Sequence, residues 1–268
     1  MIDPPSRLVL LGHPVAHSIS PRIQNAALRA ANIPLEYSAH DVAPSELDGV
    51  LRDLSVQHAA GNVTIPHKEA VAARCVRLTD LARRVGAVNT FWHEQGQLVG
   101  DNTDVGGLDA TVRALLGDDI RVASVALLGA GGGAAAVLAA AERWGKVRVA
   151  VHSRHMDRAE RLVSRFADIA TAVGSLEESL EGATLVVNST PVGMRDSAHP
   201  VSVGLLPAGS AVFDLVYRAG ETAWVSAARA AGHRAADGMG MLVEQGALAF
   251  ARWFGVEPDR DAMWRAMH

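Results

Sequence analysis

The feature that most constrains the fold is an uncharged segment of membrane length, residues 122–141, with a run of glycines at its centre. Length alone makes such a segment a candidate membrane-spanning helix. The run Gly129–Gly133, however, separates a β-rich half, Ser124–Leu128, from an alanine-rich half, Ala134–Arg143. Because consecutive glycines interrupt both strands and helices, the segment predicts a strand, a tight turn and a helix rather than a membrane span.

The turn itself has the spacing Gly129-x-Gly131-x-x-Ala134. Glycines at such a turn let the backbone approach a pyrophosphate, and the following helix N-terminus offers free N–H groups and a positive dipole. A turn that serves only packing is the alternative interpretation. The strand before it, the helix after it and a second β-rich run about 20 residues further on favour dinucleotide binding. The predicted contacts are Gly129, Ala130, Gly131, Gly132, Gly133 and Ala134.

The end of that second strand bears on which dinucleotide binds. An NAD site usually has an acidic residue there for the ribose hydroxyl, whereas this chain has Ser153-Arg154-His155, followed by Asp157 and Arg158. Guanidinium groups suit a 2′-phosphate, and NADP(H) is therefore the predicted cofactor. Two alternatives remain. Asp157 is an acidic residue that could bind the ribose hydroxyl of NAD, and Arg158 with Arg161 could be the solvated face of the next helix without a role in cofactor binding.

Composition excludes several classes of protein. Of 268 residues, 49% are hydrophobic and 20% charged, which is enough apolar material for a core and too little charge for a disordered chain. The net charge of −4, without a long basic run, argues against nucleic-acid or anionic-membrane binding. Cys75 is the single cysteine, so no intramolecular disulfide is possible, and we expect a cytoplasmic protein.

Residues 106–240 alternate β-rich runs with helical segments, as expected for parallel βαβ units, whereas the first 105 residues mix strands, helices and polar clusters. A strand is predicted at Arg7–Gly12, and a hairpin about Gln95-Gly96. Ser20-Pro21 predicts a helix with Ser20 as its N-cap. Met241–Phe254 predicts a long helix near the end of the chain.

Lys68 is one of only two lysines, the other being Lys146, and it follows a predicted strand end. Lysine can give up its proton at working pH, which arginine cannot. Ligands of α/β sheets bind at such strand ends, although a solvated helix residue is the simpler interpretation of a lone lysine. Asn89 and Asp104 belong to two polar clusters, 86–90 and 100–104, at the ends of β-rich runs, and a carboxylate beside Lys68 would hold its ammonium in place. Ser18 and Ser20, near a helix start, suit a small anion.

Taken together, these segments resemble the shikimate dehydrogenase family, and the resemblance covers essentially the whole chain. The matching segments are GHPVAHSISP (12–21), NVTIPHK (62–68), GAVNT (86–90), NTD (102–104), GAGGGA (129–134), NSTPVGM (188–194), FDLVY (213–217) and DGMGMLVEQ (237–245).

The resemblance implies an oxidoreductase of chorismate and aromatic amino acid biosynthesis. Its reaction is the reversible reduction of 3-dehydroshikimate to shikimate with NADPH. The implied fold is α/β, with an N-terminal substrate domain (1–105 with 241–268) and a Rossmann-like, doubly wound NADP-binding domain (106–240). The last helices would return to the first domain, leaving the active site in the interdomain cleft.

Roles carried over by position remain what the resemblance implies. Lys68 and Asp104 would form the catalytic pair, with Lys68 giving a proton to the carbonyl oxygen as hydride arrives. Ser18, Ser20 and Tyr217 would bind the substrate carboxylate or lie near it, and Thr64, Asn89 and Gln245 the ring hydroxyls. The implied cofactor contacts are the six turn residues, Ser153, Arg154, His155, Arg158, Thr190, Gly238 and Met241. No metal is expected, because His13 and His17 flank a proline-containing loop rather than a helix.

The chain departs from the family pattern at two places. Gln24 stands where the family usually has histidine, and Ser153-Arg154-His155 where it usually has Asn-Arg-Thr. Three rivals stay open: an NAD-preferring quinate/shikimate dehydrogenase, a reductase of an amino-substituted shikimate, and a nucleotide-binding sensor without catalysis. The presence of both Lys68 and Asp104 argues against the sensor. Either a monomer or a homodimer is compatible with the sequence.

Overall fold

The computed structural model describes residues 4–117, 123–218 and 220–267. The chain forms two compact α/β units. Unit 1 comprises Met1–Gly107 and Leu242–His268, and unit 2 comprises Leu108–Met241. The C-terminal segment, Leu242–His268, therefore belongs to the same unit as the N-terminal strands.

Unit 1 is built on a mixed six-stranded sheet. Its strands are β1 (Arg7–Gly12), β2 (Tyr37–Asp41), β3 (Ala59–Val63), β4 (Arg77–Leu78), β5 (Thr90–Glu94) and β6 (Gln97–Asp101). The strand order is β2-β1-β3-β5-β6-β4, and β5 alone runs against its neighbours. The predicted strand at Arg7–Gly12 and the hairpin are confirmed. Gln95 and Gly96 have φ of 51° and 76°, as a two-residue hairpin turn requires.

The helices of unit 1 follow these strands in the chain. They are α1 (Ser20–Ala30), α2 (Leu47–Val56), α3 (Lys68–Ala72), α4 (Asp80–Val85), the start of α5 (Asp104–Leu116), most of α10 (Gly238–Phe254) and α11 (Arg260–Arg265). Trp253 of α10 stacks on Tyr37 of β2, with ring centroids 6.1 Å apart. Both rings are fully buried, so this contact ties the end of the chain into the core of unit 1.

Unit 2 contains an all-parallel sheet. Its strands are β7 (Ser124–Leu128), β8 (Arg148–His152), β9 (Ala170–Val173), β10 (Leu185–Asn188), β11 (Ala211–Asp214) and β12 (Ala235–Ala236). Its helices include α6 (Gly132–Ala141), α7 (Met156–Val163), α8 (Leu176–Leu180) and α9 (Ala223–Ala230). The order β12-β11-β10-β7-β8-β9 is that of a doubly wound dinucleotide-binding sheet, whose strand order reverses between β7 and β10.

The structure corrects some of the predicted helix boundaries. The cap position of α1 is Ile19, not Ser20, and Ser20 is the first helical residue. The Ser18 hydroxyl accepts the Ser20 N–H at 3.2 Å, so the donor that opens the helix is already satisfied from two residues upstream. Helix α10 begins at Gly238 rather than Met241, and α5 had no sequence prediction.

Residues 124–141 form β7, a turn and α6, which confirms the strand–turn–helix prediction for that segment. Within residues 4–117, 123–218 and 220–267, no helix has both the length and the apolar character needed to cross a bilayer.

Candidate active site

Strand direction brings the candidate catalytic residues of unit 1 to one edge of the sheet. Strands β3 and β6 point the same way, so the segments after them, which carry Lys68 and Asp104, emerge at the same edge. Because β5 runs the opposite way, its start lies at that edge too, and Asn89 immediately precedes it. A mixed sheet therefore collects three polar side chains that are separated in the sequence.

Lys68 and Asp104 form an ion pair. The ammonium Nζ donates to Asp104 Oδ2 at 2.6 Å, and the two side chains are 24% and 10% exposed. An ammonium held by a charge-assisted hydrogen bond at this partial burial has a restricted position, yet it remains accessible to a small molecule. The predicted proximity of the two side chains is thus present in the structure.

Asn89 connects the remaining members of the cluster. Its Nδ2 donates to Asp104 Oδ1 at 2.8 Å and lies 3.2 Å from Gln245 Oε1. Its Oδ1 accepts the backbone N–H of Thr103 at 2.7 Å, which sets the orientation of the amide because an N–H cannot accept. Each carboxylate oxygen of Asp104 consequently has its own donor, Lys68 for one and Asn89 for the other.

The other predicted substrate residues of unit 1 lie near the starts of α1 and α3. Ser20 is buried, Ser18 is half-buried, and the two are joined by the hydrogen bond that opens α1. Thr64 follows β3, and its N–H donates to Leu11 O of β1 at 2.8 Å. Its methyl group occupies the space that a Cβ at Gly12 would need, so a side chain at position 12 would displace Thr64.

Two anchoring contacts of α10 were not identified from the sequence. Asp101, 2% exposed at the end of β6, accepts Arg252 Nε of α10 at 2.7 Å. Gln24 of α1, where the family usually has histidine, donates from Nε2 to Gly246 O of α10 at 3.0 Å. Both contacts hold the helix that presents Gln245. The polar cluster around Asp101 was the available signal, but nothing local indicated its partner 151 residues away.

In unit 2 the glycine turn connects β7 to α6 at the point where the strand order reverses. Gly129 has φ of 106°, a conformation that L side chains rarely adopt, and a Cβ there would lie 2.6 Å from Ser189 Oγ. Gly131 occupies the cap position of α6 with no side-chain cap, and Cβ atoms at Gly131 and Gly132 would meet no atom within 4 Å. The helix N-terminus is therefore open to an anion.

The predicted 2′-phosphate residues lie between β8 and α7. Ser153 Oγ accepts the His155 N–H at 3.2 Å. Arg154 and Arg158 are exposed, and neither guanidinium group has a hydrogen-bond or ion-pair partner within the described ranges. Asp157 instead pairs with Arg161 at 2.7 Å, and that hydrogen bond lowers the pKa of Asp157. Two uncommitted guanidinium groups at this strand end fit an additional phosphate.

The remaining predicted cofactor residues also belong to unit 2. Thr190 donates from Oγ1 to Asn188 Oδ1 at 2.6 Å, just after β10. Gly238, at the start of α10, leaves no space for a side chain, since a Cβ there would overlap Leu215 O. Met241 is half-buried three residues further along α10. Tyr217, which is predicted to lie near the substrate carboxylate and not the cofactor, is also half-buried and follows β11.

Cys75 has the properties of a structural cysteine. Burial raises the pKa of its thiol from 9.0 to about 12. Because the thiolate is the reactive form, we expect iodoacetamide at pH 8 to alkylate Cys75 at least about tenfold more slowly in the native chain than in the urea-unfolded chain. Mass spectrometry of timed samples measures both rates. Equal rates would contradict this expectation.

In the ranges that the structure describes, no group of three or more His, Cys, Asp or Glu side chains is arranged to hold a metal ion. His13 instead contacts Asp41, with Nδ1 and Oδ1 2.5 Å apart.

Comparisons with known proteins find similar proteins along nearly the whole chain. Residues 10–91 match a family model described as the shikimate dehydrogenase substrate binding domain, and residues 238–268 match the shikimate 5′-dehydrogenase C-terminal domain. A shikimate dehydrogenase (NADP(+)) from Symbiobacterium thermophilum is 42% identical, with 97% of this chain and 92% of that protein aligned. One from Xanthomonas campestris pv. campestris is 40% identical, over 98% and 96% of the two chains.

Solved structures extend the similarity to the fold. Shikimate 5-dehydrogenase from Thermus thermophilus, in complex with NADP(H) and shikimate, is 38% identical with a TM-score of 0.87, covering 99% of this chain and 98% of that one. Quinate dehydrogenase from Corynebacterium glutamicum, in complex with NAD, is 28% identical with a TM-score of 0.90, covering 99% of each chain. With identity of about 40% along nearly its full length, the chain belongs to the shikimate dehydrogenase family.

Proposed function

We propose that this protein catalyses the reversible, NADP-dependent reduction of 3-dehydroshikimate to shikimate. The observation that carries the proposal is the Lys68–Asp104 pair, with Nζ and Oδ2 2.6 Å apart and the carboxylate held from its other side by Asn89. Carbonyl reduction needs a positioned proton donor at the oxygen where negative charge develops. The similarity to NADP-dependent shikimate dehydrogenases supports the same substrate.

Lys68 is the proposed general acid in the reducing direction and the general base in the oxidising direction. Asp104 orients the ammonium and balances its charge, and Asn89 prevents Asp104 from turning away. Thr64 and Gln245 are proposed to contact the ring hydroxyls, and Ser18, Ser20 and Tyr217 the carboxylate. Holding the substrate by several hydrogen bonds reduces the entropic part of the barrier, because the carbonyl reaches Lys68 already oriented.

The residues of unit 2 fit a dinucleotide. The uncapped N-terminus of α6 and the open space beside Gly131 and Gly132 fit a pyrophosphate. Arg154 and Arg158, whose guanidinium groups have no partner among the described residues, fit a 2′-phosphate. Ser153, His155, Thr190, Gly238 and Met241 complete the proposed contact set. Bound NADPH supplies the hydride. In the same proposal, residues 1–105 and 241–268 supply the substrate contacts other than Tyr217, and residues 106–240 supply the cofactor contacts other than Met241.

An NAD-dependent quinate/shikimate dehydrogenase is the second candidate, favoured by the structural similarity to an NAD-bound quinate dehydrogenase. Two observations favour NADP instead: Asp157 is engaged by Arg161, and Arg154 and Arg158 are free to meet a phosphate.

We further propose a cytoplasmic location and a monomeric or homodimeric state.

One assay separates the candidates. Purified protein is tested with shikimate and with quinate, each against NADP+ and NAD+, by following reduced cofactor at 340 nm. We expect kcat/KM with shikimate to be at least about tenfold higher for NADP+ than for NAD+, since a well-formed guanidinium–phosphate interaction contributes about 1.5–3 kcal/mol. A preference for NAD+ with quinate would establish the second candidate, and no turnover with any pair would contradict both.

A further inference from the structure

A fully buried carboxylate lies at the end of β11, and the proposed chemistry does not use it. Asp214 is 0% exposed, and its hydrogen-bond partners are neutral. Its Oδ1 accepts from Asn188 Nδ2 at 2.8 Å and from the Val216 N–H at 3.1 Å, and its Oδ2 accepts from Thr222 Oγ1 at 2.9 Å. Burial raises the pKa of the Asp214 carboxyl group above its ordinary value, because the charged form is poorly solvated there. Burying a carboxyl group without a cation is costly, so its contacts need a specific explanation.

The two oxygens of Asp214 serve different parts of unit 2. Through Thr222, Oδ2 reaches the N-cap of α9, where the same hydroxyl accepts the Val225 N–H at 3.3 Å. Through Asn188, Oδ1 reaches the loop after β10. The Asn188 amide continues the chain of hydrogen bonds, because its Oδ1 accepts both the N–H of Thr190 at 3.0 Å and the Thr190 hydroxyl at 2.6 Å.

The loop after β10 packs directly against the glycine turn. A Cβ at Gly129 would lie 2.6 Å from Ser189 Oγ and 3.1 Å from the Thr190 methyl group. A Cβ at Gly133 would lie 3.0 Å from Leu215 Cδ2, next to Asp214 itself. Residues 129–134 carry only glycine and alanine, so they have no polar side chains to set their own position. Their neighbours must supply it.

We infer that Asp214 is a positioning residue for the cofactor: through Asn188 and Thr190 it holds the loop that supports the glycine turn of unit 2. It does not touch the dinucleotide. This inference rests on the proposed function only in taking NADPH as the ligand of that turn. If Asp214 served only folding, loss of its contact to Thr222 would affect NADPH binding as much as loss of its contact to Asn188.

The test compares NADPH dissociation constants, from cofactor fluorescence, with melting temperatures for matched variants of the full chain. Asp214→Ala should weaken NADPH binding about tenfold or more, because it removes the carboxylate that holds the Asn188 amide, and the loss of one hydrogen bond to a charged group has an effect of this size. Asp214→Asn should bind within about threefold of the unmodified protein, because its amide oxygen can still accept from Asn188 and its NH₂ can donate to the Thr222 hydroxyl. Thr222→Val is the control for lost stability: it should lower the melting temperature and leave NADPH affinity within the same threefold limit.

The outcomes separate this inference from the proposed function. Failure of the unmodified protein to bind NADPH would overturn the proposed cofactor. Normal binding in Asp214→Ala, or weakening in Thr222→Val as large as in Asp214→Ala, would overturn the positioning role alone. If Asp214→Ala does not fold, Asn188→Ala is measured in its place. This variant removes the link from Asp214 to Thr190 and keeps the contacts of Asp214 with Thr222 and Val216. Weakening by about tenfold supports the inference, and unchanged affinity overturns it.

Discussion

Replacing Lys68 with alanine should lower kcat for shikimate oxidation by about 10²–10⁴-fold, the usual contribution of a positioned general acid or base. Shikimate should still bind, because Ser18, Ser20, Thr64 and the amide of Asn89 remain. Steady-state kinetics at 340 nm, with shikimate binding measured separately by calorimetry, provides both quantities. The expected pattern is a fall in kcat that far exceeds any rise in the dissociation constant.

Two control variants make this result specific. Lys68→Arg keeps a positive charge near Asp104 but removes a group that can release its proton, so it should remain impaired. Lys146→Ala removes the only other lysine, in unit 2 and outside the proposed site, and should leave kcat unchanged. An undiminished rate in Lys68→Ala would remove Lys68 from the mechanism, and another group would have to supply the proton.

Replacing Gly131 with alanine should weaken NADPH binding by about 10–100-fold, which corresponds to the 1–3 kcal/mol typical of a steric misfit. The added methyl group meets no protein atom within 4 Å, and φ at this position is −99°, so alanine is compatible with the fold. The space it would fill is the approach to the N-terminus of α6. We therefore expect an unchanged melting temperature alongside the loss of affinity.

Gly174→Ala is the matched control for that experiment. Gly174 also lies in unit 2, and a Cβ there would likewise meet nothing within 4 Å. It is outside the glycine turn, so the variant should bind NADPH normally. If Gly131→Ala bound NADPH as tightly as Gly174→Ala, the pyrophosphate would not approach this turn and the proposed cofactor site would be wrong.

The local structure of this chain was accessible from its sequence because it follows from short-range preferences. Glycines after a β-rich run predicted the turn between β7 and α6, and Gln95-Gly96 predicted the turn between β5 and β6. The helix that starts near Ser20 was predicted, but its cap was not. Whether Ser18 or Ser20 satisfies the first free N–H groups depends on a loop conformation that propensities do not specify.

The sequence by itself determined the α/β class, the strand–turn–helix at Gly129 and the family, because periodicity, glycine conformation and ordered motifs are properties of neighbouring residues. Only the tertiary structure decided which distant groups meet: Asn89 with Gln245, 156 residues away, Asp101 with Arg252, and Asn188 with Asp214. The parallel register of β10 and β11 places Asn188 opposite Asp214, and the packing of α10 within unit 1 brings Gln245 to Asn89 and Arg252 to Asp101. Register and helix packing both arise from the burial of whole strands and helices, to which each polar residue contributes little on its own.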